Sequence, residues 1–358
     1  MTNSADHDLA ITIRGVTKIF GPDPQAALAA LRAGKSKSEL QAETGHVVGL
    51  DNVSLDIAQG QIFVVMGLSG SGKSTLIRHV NRLMEPTAGE IFVHGEDVLG
   101  MSLDQLRTYR RTRVAMVFQK FGLLPHRSVL ANVAYGLEVR RAGKSEREAE
   151  ARKWIEIVGL AGYEDARPRQ LSGGQQQRVG LARALALDTD IILMDEAFSA
   201  LDPLIRSGMQ DQLMTLQKTL NKTILFITHD FDEALKIGDR VAVLKDGMVQ
   251  QEGRPEDIVL NPANEHIEEF VRDVNKARAI RVRTIMETGP SEPCDVAVPA
   301  NARCEEVLPL FAEHQWVGVL NDAGAQVGRV TARRIIGALA RHETRTPVTQ
   351  PVVPAAAR

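Results

Sequence analysis

The chain lacks several features that mark particular classes of protein. It has only two cysteines, Cys294 and Cys304, in 358 residues. Two thiols do not make a disulfide framework, which favours a reducing cytosol. The formal net charge is only -2, so composition gives no indication of a nucleic-acid partner.

Targeting and membrane-spanning signals are also missing. The first ten residues carry Asp6 and Asp8 and no basic start before an apolar core, so we expect no signal peptide. No run of about 18 apolar residues, the length that spans a bilayer, occurs anywhere. If the protein works at a membrane, it must therefore dock onto another chain.

What the sequence does contain is the pattern of an α/β fold. Short apolar runs at 61–66, 191–194 and 223–228 are separated by helical patterns. Such runs are typical of buried parallel strands. The Asp246-Gly247 pair between two further runs predicts a hairpin turn.

Four other segments can be distinguished by their composition and pattern. Residues 21–46 are interpreted as an insertion that contains a short helix. Residues 275–283 are basic, and a second small α/β pattern then extends from about residue 295 to residue 341. The last residues, 346–358, are rich in Pro, Ala and Val and are predicted to be disordered.

A complete phosphate-loop pattern follows the apolar run 61–66 and precedes a predicted helix. Its glycines allow the backbone to wrap around phosphates, and the helix start adds favourable partial charge. Lys73 can reach the β- and γ-phosphates, and the Ser74 hydroxyl can bind Mg²⁺. The alternative is a Gly/Ser-rich turn at a strand end. The pattern is Gly67, Leu68, Ser69, Gly70, Ser71, Gly72, Lys73 and Ser74.

Two acidic residues follow the apolar run 191–194. Asp195, at the strand end, can hold Mg²⁺ through water, and Glu196 can take a proton from the attacking water or orient it. Acidic residues are common in loops, so this signal depends on its pairing with the phosphate loop.

A second helix start with small residues lies at Ser172, Gly173, Gly174 and Gln175. It can bind an anion, which suggests that each nucleotide lies between two copies of the domain. The alternative is that Ser172 only caps the helix.

The order of these motifs, with Gln119 and His229, resembles the ATP-binding cassette (ABC) family over roughly residues 11–271. The resemblance implies a P-loop NTPase fold: an ABC-type nucleotide-binding domain at 11–272 with a helical subdomain at about 120–187. It implies that the protein is an ATPase that uses ATP and Mg²⁺.

The resemblance also assigns roles to single residues. Gln119 contacts Mg²⁺ and the lytic water, His229 contacts the γ-phosphate, and Asp202 belongs to a loop that crosses to the partner protomer. Phe20 stacks on adenine, although an aromatic after a strand is more often part of the core. Thr75 joins the phosphate loop in the nucleotide site.

The phosphate loop, the segment 117–126 and the insertion together resemble the ATPase subunits of glycine betaine/proline betaine importers. This implies a homodimer, integral membrane permease subunits, an external substrate-binding protein and a peripheral location at the cytoplasmic face of the inner membrane. The expected solute is a quaternary amine such as glycine betaine, proline betaine or choline.

Two alternatives remain open for the function. One is an importer ATPase for another small solute, such as an amino acid. The other is a soluble ABC ATPase that acts on nucleic acid or the ribosome. Such proteins tend to have two cassettes or long coiled-coil insertions, whereas this chain has one cassette and no sustained heptad pattern. We therefore expect no nucleic-acid partner.

The segment 276–345 resembles a single cystathionine-β-synthase-type (CBS) module. Such modules usually work in pairs, and the tail lacks an acidic run. The module could sense ionic strength or an adenine nucleotide, and the alternative is a small packing and dimerisation unit.

Overall fold

The computed structural model describes residues 9–119, 122–199, 201–272, 274–289, 294–321 and 323–340. The chain divides into two compact units, with the division between Arg254 and Pro255. Within the described residues, no helix has both the length and the apolar character needed to cross a membrane. The predicted disordered tail, 346–358, lies outside the described residues.

The first unit contains ten named strands. They are β1 (Leu9–Phe20), β2 (Val47–Ala58), β3 (Ile62–Met66), β4 (Ala88–Val93), β5 (Glu96–Asp97), β6 (Val114–Val117), β7 (Ile191–Asp195), β8 (Thr223–Thr228), β9 (Arg240–Lys245) and β10 (Met248–Gly253). Its helices are α1 (Pro24–Arg32), α2 (Lys37–Thr44), α3 (Lys73–Val80), α4 (Leu103–Thr112), α5 (Val129–Val133), α6 (Tyr135–Val139), α7 (Lys144–Ile157), α8 (Gly173–Leu185), α9 (Pro203–Leu220) and α10 (Phe231–Ile237), with a 3₁₀ turn at Pro168–Gln170.

The main sheet has the strand order β10-β9-β3-β8-β7-β6. Strands β9, β3, β8, β7 and β6 are parallel, and every residue of β3, β7 and β8 is buried. The three predicted parallel strands are therefore confirmed. Because the carboxyl ends of parallel strands meet at one edge, the segments that follow β3, β7 and β8 lie side by side.

A second, antiparallel sheet has the order β2-β1-β4-β5. Its buried side chains, with those of α3 and the main sheet, form one apolar core. The hairpin between β9 and β10 turns at Asp246 and Gly247, whose φ angles are 50° and 75°, as the sequence predicted.

The short helix expected in the insertion is present as α1, and a second helix, α2, was not predicted. The second helix begins at Ser36, whose hydroxyl accepts a hydrogen bond from the Glu39 amide while the Glu39 carboxylate accepts one from the Ser36 amide. This capping box stabilises a helix start. Leu28 and Leu40 pack with Ile19 in a small core of their own.

The chain between β6 and β7 contains helices α5, α7 and α8, which pack against one another. Val133, Ile155 and Val179 are fully buried. Asn132 is also fully buried and holds the preceding loop, because it accepts from the Leu124 amide at 2.8 Å and donates to the Leu124 carbonyl at 3.1 Å.

The second unit is smaller. Its elements are α11 (Pro255–Leu260), α12 (Glu265–Val271), α13 (Lys276–Ala279), α14 (Val282–Ile285), β11 (Glu287–Thr288), β12 (Ala297–Pro299), α15 (Cys304–Val307), a 3₁₀ turn (Leu308–Ala312), β13 (Trp316–Leu320), β14 (Gln326–Thr331) and α16 (Ala332–Ala340). The sheet order is β11-β14-β13-β12, with only the β12–β13 pair parallel among the described strands of this sheet. Val317 and Val330 lie at its core.

Candidate functional site

The loop between β3 and α3 is tightly wrapped. Gly67 and Gly72 have φ angles of 153° and 99°, values that favour glycine. A Cβ on Gly67 would lie 2.1 Å from the Leu244 carbonyl oxygen, and one on Gly72 would lie 2.5 Å from the Gly49 carbonyl oxygen. No side chain caps the start of α3, so its first N–H groups are available to an anion.

Lys73 lies inside this loop with 4% of its surface exposed. Its Nζ donates to the carbonyl oxygens of Gly67 at 2.8 Å and Leu68 at 2.9 Å. Burial lowers the pKa of Lys73, and the nearby carboxylates of Glu196 and Asp195 oppose that shift. The Ser71 hydroxyl is buried without a hydrogen-bond partner among the described residues. A buried cation, an unpaired hydroxyl and an uncapped helix start together fit a phosphate group.

Ser74 and Asp195 meet beneath the loop. The Ser74 hydroxyl donates to Asp195 Oδ1 at 2.7 Å, and Asp195 is fully buried. These are hard oxygen ligands of the kind that Mg²⁺ takes together with phosphate oxygens. No group of three or more His, Cys, Asp or Glu residues that could hold a metal occurs among the described residues. The donor set thus fits Mg²⁺ held jointly by the protein and a nucleotide.

Glu196 lies between Gln119 and His229, two other residues that the sequence predicted for the site. Its Oε2 accepts from the Gln119 side-chain nitrogen at 2.8 Å and is 3.5 Å from His229 Nδ1. Its φ is 45°, a strained conformation that costs on the order of 1–3 kcal/mol and often marks functional sites. The arrangement places a carboxylate, an amide and an imidazole at the edge of the sheet beside the phosphate loop, where they can orient and deprotonate water.

Phe20 ends β1 with 39% of its surface exposed. Its ring lies against Gly49, because a Cβ on Gly49 would be 2.6 Å from Phe20 Cε2, and the Gly49 carbonyl lies close to Gly72. The insertion after Gly21 therefore leaves this ring beside the phosphate loop. Lys18 Nζ lies 5.3 Å from the ring centroid.

Ser172 caps α8. Its hydroxyl accepts from the Gln175 amide at 3.3 Å, and its own amide donates to Gln175 Oε1 at 2.9 Å. Ser172 and Gly173 are exposed. Among the described residues, no hydrogen bond joins the segment 172–175 to the phosphate loop of the same chain.

The remaining predicted residues lie at the start of α9 and in the phosphate loop and α3. Asp202 is exposed and caps α9, its Oδ1 accepting from the Ile205 amide at 3.0 Å. Ser69 and Gly70 are exposed at the tip of the phosphate loop, and Thr75 is half-buried in α3.

Sequence reasoning missed Arg78. Its Nη2 lies 3.3 Å from Asp195 Oδ2, so it shares the carboxylate with Ser74. The signal was available, because residues four apart lie on the same face of a helix and Arg78 follows Ser74 by four positions. Gly49, which lies against the Phe20 ring, was also missed, and only the pairing of β1 with β2 reveals it.

Comparison with known proteins identifies relatives of this chain. A family model described as ABC transporter matches residues 50–199. The glycine betaine transport ATP-binding protein OpuAA of Bacillus subtilis is 53% identical over 279 residues, which are 78% of this chain and 67% of that protein. The trimethylamine N-oxide transport system ATP-binding protein TmoW of Ruegeria pomeroyi is 46% identical over 325 residues, 88% of this chain and 95% of that protein.

A solved structure is also similar to part of this chain. The dimeric structure of a post-hydrolysis state of the ATP-binding cassette MJ0796 bound to ADP and Pi is 33% identical, with a TM-score of 0.59. The match covers 68% of this chain and 98% of that chain.

Proposed function

Because the chain belongs to the family of ABC transporter ATP-binding proteins, we propose that it hydrolyses MgATP in a two-copy sandwich to import a quaternary amine such as glycine betaine, proline betaine or choline. The fold is that of an ABC cassette, and the enzyme is an ATPase coupled to transport. The solute, the use of Mg²⁺, the partners and the residue roles are parts of this proposal.

One observation carries the chemistry: Glu196 Oε2 contacts both Gln119 and His229 at the strand edge that also holds the phosphate loop. In the proposed reaction, Glu196 takes a proton from the attacking water and Gln119 orients that water. His229 is 53% exposed in its side chain, so it is free to contact the γ-phosphate. Lys73 and the phosphate-loop amides bind the β- and γ-phosphates.

Mg²⁺ belongs with this site through Ser74, Asp195 and Gln119. When bound, it would neutralise charge on the phosphates. The chain would provide two oxygen ligands, the Ser74 hydroxyl and the Asp195 carboxylate, which lie within hydrogen-bonding distance of each other. Phe20 provides an exposed ring for the adenine.

A second copy completes the site in this proposal. Ser172, Gly173, Gly174 and Gln175 face the ATP of the partner protomer, and Asp202 lies in the loop that crosses to it. Support comes from the exposure of Ser172, Gly173 and Asp202 and from the dimeric state of the MJ0796 cassette.

The permease subunits would dock on the helical part of the first unit. A groove of about 300 Å³ lies there, with apolar walls from Leu124, Tyr135 and Val139 and with Arg110 and Arg111 also lining it. Apolar surface in contact with water favours a partner, and the expected occupant is a short cytoplasmic helix of the permease. Leu123 and Leu124 are half-buried, and Phe121 lies outside the described residues.

The second unit would be a CBS-like regulatory module or a dimerisation module. Its sheet and flanking helices, with a core of their own, suit either role. An external substrate-binding protein and a peripheral position at the cytoplasmic face of the membrane complete the assembly.

A second candidate solute is trimethylamine N-oxide. This chain matches TmoW over 95% of that protein's length but OpuAA over only 67% of its length. The solute shares a methylated nitrogen with the betaines.

Uptake in cells tests the solute. Radiolabelled glycine betaine, choline or trimethylamine N-oxide is given at high external osmolarity to cells with and without the gene. Cells that express the Glu196→Gln variant are the matched control. We expect uptake of one of them to require the unmodified gene. If none of the three depends on it, the methylated-amine assignment is wrong.

A further inference from the structure

One side chain joins the two segments that precede α9 and α10. Arg206, in the second turn of α9, donates from Nη1 to Asp230 Oδ2 at 2.9 Å and from Nη2 to the Leu201 carbonyl oxygen at 3.1 Å. Leu201 precedes Asp202 in the predicted dimer-crossing loop, and Asp230 follows His229. A planar guanidinium with several fixed N–H groups is suited to such a two-ended contact.

Both ends of this link are anchored by helix caps. Asp230 Oδ1 accepts from the Glu233 amide at 3.1 Å, and the Asp230 amide donates to the Thr228 hydroxyl at 3.0 Å. The backbone of His229 is thereby held between two fixed neighbours. Asp202 caps α9 in the same way, and its carbonyl oxygen accepts from the Arg206 amide at 2.9 Å.

The Leu201 end also reaches the segment 172–175. A Cβ on Gly174 would lie 3.2 Å from Ile205 Cγ2 and 3.7 Å from Leu201 Cδ2. The start of α8 therefore packs against the residues that Arg206 holds. The start of α8 is thus connected to Asp230, the residue beside His229, through Leu201 and Arg206.

The His229 ring itself is held weakly. Its side chain is half exposed and its Nδ1 is 3.5 Å from Glu196 Oε2, which is beyond a good hydrogen bond. The ring's place relative to Glu196 thus depends on the backbone at 228–230. Arg206 contacts both the Leu201 carbonyl oxygen and Asp230, so it connects Leu201 to this backbone.

We propose that Arg206 is a positioning residue that transmits the docking of the partner protomer at Leu201 and Asp202 to His229 through Asp230. The inference rests on the proposed two-copy function. In this proposal Arg206 acts through Asp230 and not on the reacting atoms. Its task is to carry the docking of the second copy to the backbone beside His229.

The fold offers a matched control. Lys236 on α10 pairs with Asp211 on α9 at 2.8 Å and donates to Ser207, so it links the same two helices but touches neither loop. The Gln210–Glu233 contact at 3.0 Å is buried between the helices. It keeps them together when Arg206 is replaced, and partly exposed ion pairs contribute little to stability.

The test measures kcat, KM, ATP affinity and thermal unfolding for the full chain. Arg206→Gln and Asp230→Asn should each lower kcat by about ten-fold or more, with ATP affinity within about two-fold of the parent, because a small misplacement affects the reaction more than binding. Asn retains the cap at position 230. The kcat of Arg206→Lys, whose side chain reaches only one of the two partners, should lie between those of the parent and Arg206→Gln. The kcat of Lys236→Gln should stay within about two-fold of the parent's.

A double variant separates coupling from two independent losses. If Arg206 and Asp230 act as one link, the kcat of the double variant should not fall below that of the lower single variant, whereas independent effects would multiply. A multiplied loss overturns the proposal. A kcat of Arg206→Gln within two-fold of that of an active parent also overturns it. So does a Lys236→Gln variant that loses as much kcat and as much melting temperature as Arg206→Gln.

Dimer formation by the Glu196→Gln variant distinguishes a failure of the proposed function from a failure of the role of Arg206. If the parent chain with Glu196→Gln forms no dimer with ATP, the two-copy function is wrong and this inference with it. If that dimer forms and Arg206→Gln is as active as the parent, only the role of Arg206 is overturned.

Discussion

The side-chain nitrogen of Gln119 lies 2.8 Å from Glu196 Oε2, although 77 residues separate the two. The contact follows from the parallel pairing of β6 with β7, in which Val117 lies opposite Met194. Both residues come shortly after the carboxyl ends of neighbouring strands. A carboxylate held in this way, with His229 on its other side, is placed to activate water.

Glu196→Gln should retain ATP binding and lower kcat by about 10²-fold or more, because an amide cannot accept the proton. ATP should then hold two copies together, which size-exclusion chromatography measures. Glu90→Gln, an exposed position on β4, is the control and should hydrolyse ATP normally. If Glu196→Gln hydrolyses ATP within a few-fold of the parent, Glu196 is not the base.

Lys73→Ala should weaken ATP affinity by at least about ten-fold, because a charge-assisted contact to phosphate is lost. Lys144→Ala, at a site whose side chain is 78% exposed, should bind ATP as the parent does. Isothermal titration measures both. Unchanged affinity in Lys73→Ala would contradict its assignment.

The pH dependence of ATP binding offers a further check on Lys73. Because burial lowers the pKa of Lys73, its positive charge is present below that lowered value and is lost as the pH rises through it. ATP affinity of the parent should therefore decline at an alkaline pH below the ordinary lysine pKa of about 10.4. Titrations at a series of pH values should show this decline in the parent and a flatter profile in Lys73→Ala.

Mixed dimers test the shared site. When one copy carries Ser172→Arg and the other carries Lys73→Ala, both changes fall in one composite site and the other stays intact. When a single copy carries both changes and is paired with the parent, both sites are damaged. The first arrangement should retain more ATPase activity than the second. Equal activity would indicate that each copy contains its whole site.

The docking groove predicts a loss of coupling without a loss of nucleotide binding. Val139→Asp places a charge in the groove wall, and desolvating that charge against a permease helix is unfavourable. The isolated chain should bind ATP as before, while solute-stimulated ATPase activity of the assembled transporter falls. Leu103→Asp, at a side chain that is 73% exposed on α4, is the matched control. Equal behaviour of the two variants would contradict the groove assignment.

Thiol labelling tests the core of the second unit. Burial raises the pKa of Cys304 to about 12, so its thiol stays protonated at pH 8 and should not react in the folded chain, since the thiolate is the nucleophile. Cys294 is half-buried and should react first. Labelling of Cys304 should begin only with denaturant, and peptide mapping by mass spectrometry identifies the modified residue. Early reaction at Cys304 would contradict the described packing.

The sequence by itself determined the family, the parallel strands and the order of the site motifs. Glycines at 67 and 72, Lys73 and the strand-end acids each follow from local requirements of backbone geometry and charge, so reading the chain is enough to find them. The cap at Ser36 was equally local and was overlooked, which is why the second helix of the insertion was not predicted.

Tertiary structure alone decided which distant residues meet. The contacts of Glu196 with Gln119 and His229 depend on strand order, and the link from Leu201 through Arg206 to Asp230 depends on how α9 packs on α10. Periodicity along one chain records which face of each element is buried, but not which element covers it. The partners of a long polar side chain such as Arg206 are therefore fixed only when the elements are assembled.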